Sequence, residues 1–133
     1  MSRRNARELA MKILYSKDLN PETESIEAES LQLTPKDASF SKALVAAETD
    51  HEGEIDSLIA KHLKNWSIEE LNVVDKTILR MSLAEALFME ESSDAGLVIN
   101  EAVELARKYG GENSYRFING ILDSVLAESA QGK

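Results

Sequence analysis

Apolar positions recur at three- and four-residue spacings along most of the chain, the period of an amphipathic α-helix. From about Arg3 to Asp18, Ala6, Leu9, Ala10, Ile13 and Leu14 make one apolar face with charges opposite. Asn20-Pro21 ends this first helix, because proline disfavours helical geometry in the residue before it. Glu22, Glu24, Glu27 and Glu29 surround only Ile26, Ala28 and Leu31, which predicts a short, weakly specified helix at most. Thr34-Pro35-Lys36-Asp37 then supplies an N-cap, a proline at the first helical position and an acid at the third. Phe40, Leu44, Ala47, His51, Ile55, Leu58, His62 and Leu63 keep one face, predicting a single helix over 36–64 with Gly53 as the place for a kink.

Ser67-Ile68-Glu69-Glu70 reads as a capping box for one turn, and Asn72 caps a helix from Val73 to about Glu90. Val73, Val74, Ile78, Leu79, Met81, Leu83, Leu87 and Phe88 cover most of that helix's circumference, so it is expected to be central and buried on several sides. A loop at 91–94, a helix over 95–109 closed by Gly110-Gly111, a last helix from about Ser114 to Glu128 and a frayed tail over 129–133 complete the chain. No alternating run is closed by hairpin turn chemistry, and the Asn-Gly pair at 119–120 interrupts a helical pattern. The expected fold is all-α, a compact bundle of six to seven helices. It forms one domain over 1–133, with two packed subdomains at about 1–64 and 67–128.

Composition narrows the function classes. Hydrophobic residues make up 43% and charged residues 29%, a globular balance, with no apolar run near the roughly 18 residues of a membrane span. The N-terminus lacks the apolar core and cleavage site of a signal peptide, so a soluble, cytoplasmic protein is expected. The absence of cysteine excludes disulfides, thiolate metal sites and thiol nucleophiles. His51 and His62 lie eleven residues apart, roughly 16 Å along a continuous helix, and no HExxH spacing surrounds either, so neither a metal nor a cofactor is expected. With no Gly-x-Ser-x-Gly elbow and no glycine-rich phosphate cradle, the chain reads as a non-enzyme.

The net charge of −9 hides a polarity. Residues 1–17 carry Arg3, Arg4, Arg7, Lys12 and Lys17 against Glu8, a formal +4, leaving −13 on the remainder. Nucleic-acid contact is therefore expected at the basic end, and the acidic remainder suits a basic protein partner. Arg3, Arg4 and Arg7 are expected to project together from the opening turns of the first helix as a guanidinium cluster. Arginine pairs with phosphate oxygens and stacks on splayed bases, and its position at a helix N-terminus opposes the helix dipole, which points to an external reason for it.

Three segments carry a resemblance. Val98-Ile99-Asn100-Glu101-Ala102-Val103-Glu104-Leu105-Ala106-Arg107-Lys108-Tyr109-Gly110 followed by Phe117-Ile118-Asn119-Gly120-Ile121-Leu122-Asp123, the opening Arg3–Ser16 helix ending in Leu-Tyr-Ser, and Trp66–Glu85 built around Ile78-Leu79-Arg80 together resemble the transcription antitermination factor NusB family. The matches run in order over nearly the whole chain. The resemblance implies two packed helical subdomains and an RNA-binding adaptor without catalysis. Such an adaptor pairs with the ribosomal protein NusE, binds the boxA element of ribosomal RNA leader transcripts and joins an antitermination complex on RNA polymerase.

Carried over by residue, the resemblance implies RNA contact by Arg3, Arg4 and Arg7. It also implies a last-helix RNA surface of Arg116, Asn119 and Asp123, weaker RNA-side roles for Lys76 and Arg80, and a partner face containing Tyr15 and Glu85. Phe117, Ile118, Ile121 and Leu122 have the spacing of a buried face, while Gly120 predicts close helix packing or close approach of a ligand backbone. The loop Ser92–Leu97 lacks the proline and basic residue common in the family, and Ala84-Glu85 stands where Tyr-Glu is usual. RNA affinity without the partner protein is thus expected to be weak and strongly salt-dependent. The competing readings are a protein-only helical scaffold that has lost RNA binding and the related module that accompanies RNA methyltransferases, for whose enzymatic domain 133 residues leave no room. A partner-seeking apolar face also allows a homodimer in the partner's absence.

Overall fold

Side-chain caps set where three of the helices begin. In the computed structural model, which describes residues 3–19, 33–64, 66–90 and 93–131, Asp37 N–H donates to Thr34 Oγ1 at 3.1 Å, Asp75 N–H to Asn72 Oδ1 at 2.8 Å and Leu97 N–H to Asp94 Oδ2 at 3.2 Å. Each bond satisfies a donor that the first helical turn leaves free. The described residues form α1 (Arg3–Leu19), α2 (Pro35–Ala60), a 3-10 turn (Ile68–Glu70), α3 (Val73–Leu87), α4 (Ala95–Tyr109) and α5 (Ser114–Gln131), with no strand among them. The fold is all-α, as expected. The acidic stretch at 22–31 and the stop at Asn20-Pro21 lie outside the described residues.

Three boundaries and one bend differ from the sequence reading. Helix α3 ends at Leu87 and not at about Glu90, because Phe88 leaves helical geometry (φ −122°, ψ 7°) while its N–H closes the last turn onto Ala84 O at 2.9 Å. Helix α2 stops at Ala60 and not at 64, because its end tightens into 3-10 geometry: His62 N–H donates to Ile59 O at 3.0 Å and Leu63 N–H to Ala60 O at 3.2 Å. Helix α5 continues through the tail expected to fray, to Gln131. The bend in α2 lies at His51 (φ −120°, ψ 16°) and not at Gly53. The His51 ring stacks on Phe88 with centroids 4.4 Å apart, and its Nδ1 lies 2.9 Å from Glu54 Oε1. A tertiary contact bends the helix here, while Gly53, with open space around it, stays helical.

Helix α3 packs against the four other described helices, α1 pairs with α2, and α4 pairs with α5. Ile78, Leu79, Met81, Leu83 and Ala84 of α3 are buried around its circumference. They join Ala6, Ala10 and Leu14 of α1, Leu44, Ile55 and Ile59 of α2, and Ile118, Leu122 and Val125 of α5 in one continuous core. The turn between α4 and α5 depends on Gly110, where a Cβ would lie 2.6 Å from Ser114 Cβ and 2.7 Å from the Ala106 carbonyl oxygen. Ser114 Oγ is fixed there by the Gly111 N–H at 2.9 Å. Gly110→Ala is expected to cost about 1–3 kcal/mol through overpacking. A lower urea midpoint at unchanged slope would show it, and an unchanged midpoint would refute it.

Candidate nucleic-acid interface

Arg3, Arg4 and Arg7 leave α1 towards different neighbours. Arg3 lies over the Phe40 ring, its Cζ 4.1 Å from the centroid, with Nε 3.6 Å from Asp37 Oδ1 and 44% of the side chain exposed. Arg4 is more open, at 61%. It donates through Nε and Nη2 to the two carboxylate oxygens of Glu101 at 3.1 and 2.8 Å. These hydrogen bonds raise the Arg4 pKa and hold the Glu101 carboxyl below its ordinary range.

Arg7 corrects the expected three-arginine cluster. It is 5% exposed and forks onto Glu85, with Nε to Oε1 and Nη2 to Oε2 both at 2.7 Å. Burial is the largest single influence and works against the guanidinium's charge, but the Glu85 hydrogen bonds together with the attraction of the Glu85 and Glu101 charges outweigh it, and the Arg7 pKa is raised. Ser93 Oγ adds a donor to Glu85 Oε2 at 2.6 Å, and Glu101 Oε1 approaches Arg7 Nη1 at 3.7 Å. One turn further into α1 than Arg3, Arg7 is closed over by acids from α3 and α4. Of these three arginines, only Arg3 and Arg4 are exposed to solvent.

Glu85, expected on a partner face, is 2% exposed and engaged by Arg7 and Ser93, so it clamps the interior. Arg80, expected towards RNA, is turned inward as well. It donates from Nε and Nη2 to the Asp56 carboxylate at 2.8 Å each, and Glu52 lies 3.5 Å from its Nη1. Lys76 and Tyr15 are half-buried on α3 and α1. Arg116, Asn119 and Asp123 are exposed along one side of α5. Gly120 shares that exposure with nothing within 4 Å of a Cβ placed there, so it does not serve close helix packing. Ile118, Ile121 and Leu122 are buried and Phe117 packs at the core edge.

The fold also assembles basic and aromatic groups that the sequence reading did not single out. Lys108 Nζ bonds Glu8 Oε2 at 2.6 Å; together with Arg4–Glu101 this aligns the polar edge of α1 alongside α4. Arg107 Cζ lies 4.6 Å from the Tyr115 ring centroid and Arg116 Cζ 5.5 Å from it. Arg107 and Lys108 occupy the last turn of α4, where cations complement the helix dipole, so in sequence they read as an ordinary helix end. Their nearness to α1 and to Tyr115 was the missing signal. Cations flanking an aromatic ring suit a stacked base and its phosphate. Among the described residues no group of three or more His, Asp or Glu side chains is placed to hold a metal, and no helix is long and apolar enough to cross a membrane.

The sequence pattern of the NusB family matches residues 4–127. The chain is 38% identical to the transcription antitermination protein NusB of Elusimicrobium minutum (strain Pei191) over 140 aligned positions, covering 99% of this chain and 98% of that one. Its structure is similar to that of T. maritima NusB, with a TM-score of 0.85 and 31% identity over 96% of this chain and 92% of the other. It is likewise similar to a chain in the crystal structure of antitermination factors NusB and NusE in complex with dsRNA, with a TM-score of 0.85 and 33% identity over 95% and 96% of the two chains. With the fold and nearly the full length matched in these comparisons, the chain belongs to the NusB family.

Proposed function

We propose that this protein is a non-enzymatic antitermination adaptor that binds boxA-like RNA of ribosomal RNA leader transcripts together with NusE and promotes processive transcription by RNA polymerase. The observation that carries this reading is the near full-length likeness to a NusB-family chain solved with NusE and RNA. The arrangement of charge supports it: on a chain of net −9, Arg3, Arg4 and Arg116 are exposed, and Tyr115 lies between Arg107 and Arg116. RNA phosphates compete with Glu101 for Arg4, exchanging one charge-assisted pair for another. Phosphate contact positions the strand, while stacking and base edges supply selectivity.

The test is binding to a short boxA-like single strand and a scrambled control, with and without NusE, for the wild type and the Arg3→Ala/Arg4→Ala double variant. The double variant is expected to lose about tenfold or more in RNA affinity while NusE binding persists. Losing two phosphate contacts should also flatten the log–log salt dependence by about 1.4. Equal affinity for both RNAs with NusE bound would instead support a protein-only scaffold. Arg7→Ala is a poor probe of RNA contact, because it strands Glu85 in the interior.

A further inference from the structure

Helices α1, α2 and α3 leave a cavity of about 220 Å³ lined by Leu14, Lys17, Glu48, Thr49, Glu52, Thr77 and Arg80. It lies apart from Arg3, Arg4 and the Tyr115 cluster and plays no part in the RNA reading. Glu48 is 3% exposed, and its Oε2 has no hydrogen-bond partner among the described residues. A buried acceptor left open is unfavourable, so the cavity calls for a donor. The charged groups around Glu48 are Glu52 and Asp56 on its own helix, Arg80 on α3 and Lys17 on α1. Arg80 is already neutralised by its fork onto Asp56, and Lys17 is exposed at the rim. With every group ionised, three carboxylates face two cations.

We infer that this cavity binds the guanidinium group of an arginine side chain from a basic protein partner, with Glu48 as its buried acceptor. Glu52, Thr49 and Thr77 line the same space, and their carboxylate and hydroxyl groups are of the acceptor kind that a planar five-donor fork can use. Guanidinium is also more weakly hydrated than ammonium, which favours it in a half-enclosed site. The acidic remainder of the chain suits such a partner. Burial first, and the neighbouring Glu52 next, push the Glu48 carboxyl up to about 8. At neutral pH it is mostly protonated, so entry of the cation stabilises the carboxylate and releases a proton to solvent.

The test uses the isotopically labelled full-length chain and methylguanidinium as the probe, followed by NMR against sodium chloride at matched ionic strength. Saturable shifts are expected at Thr49, Thr77 and Arg80, with a lowered titration midpoint for the Glu48 carboxyl. Affinity should be about tenfold or more tighter at about pH 8.5 than at about pH 6.5, since ionised Glu48 is the binding form. Methylammonium should bind more weakly, and Glu48→Gln should weaken methylguanidinium by about tenfold. The wild-type pH dependence needs no variant and stands even if Glu48→Gln perturbs the fold. Shifts scattered over the surface, pH-independent affinity, full affinity in a folded Glu48→Gln chain, or methylammonium binding as tightly would each overturn the inference.

Discussion

Glu85→Ala is expected to destabilise the fold by about 3–5 kcal/mol, the range for breaking a buried ion pair and leaving one charge behind. The stranded group is Arg7, 5% exposed, whose remaining contacts would be the 3.7 Å approach of a Glu101 already forked onto Arg4 and the Phe40 ring, 5.4 Å from its Cζ. Ser93 would lose its acceptor as well. Arg7→Ala should cost a similar amount by stranding Glu85. The paired replacement Arg7→Met/Glu85→Leu is expected to recover to within about 1 kcal/mol of wild type, because apolar side chains of similar volume remove both desolvation costs together. Chemical denaturation of the three variants measures this, and additive losses in the double variant would defeat the account. The refolded double variant also separates two roles for Arg7. Retained RNA binding identifies it as a positioning residue that holds α1 against α3, whereas loss of RNA binding in a stable chain means that Arg7 reaches the strand itself.

The second large effect is a change in how stability depends on pH. The Glu48 carboxyl titrates at about 8 in the folded chain against 4.5 for an unperturbed glutamate, so between those values the folded state binds more protons than the unfolded state. Stability from this group is full below about pH 4.5 and is lost as pH rises towards 8. Glu8 and Glu101, with carboxyls held below 4.5, act in the opposite sense and in a different window, losing their contribution as pH falls through their lowered values. Glu48→Gln removes the first slope and leaves the second. The variant is expected to gain on wild type as pH rises from 5 to 9, by on the order of 2–3 kcal/mol at the top once screening through the open mouth of the cavity is allowed for. Urea denaturation at several pH values reads this directly, and a stability difference that does not change with pH would contradict it.

The elements and their starts were legible because their causes are local. Thr34, Asn72 and Asp94 each bond a donor three residues ahead, and Gly110 fails to admit a Cβ because of atoms four residues away on either side. The apolar coverage of 73–88 predicted a central helix, and α3 is packed on by every other described helix. The bend of α2 was less legible. Gly53 has the backbone freedom for it, but His51 takes it because Phe88, 37 residues along the chain, offers a ring to stack on.

The functional surface divides in the same way. Family membership, the basic opening of α1 and the acidity of the remainder follow from residue order alone, since charge content and helical spacing need no knowledge of neighbours. Which arginine faces solvent does not follow. Arg4 and Arg7 stand three residues apart on one helix, and their partners lie 97 and 78 residues away; the packing of α3 and α4 against α1 turned one outward and buried the other. Arg107 and Tyr115, and the open acceptor of Glu48, likewise gained their meaning only when separate helices met. Local sequence determined the helices and their caps, and tertiary packing decided which charges remain for a partner, because an ion pair forms between groups that the fold, and not the chain, makes adjacent.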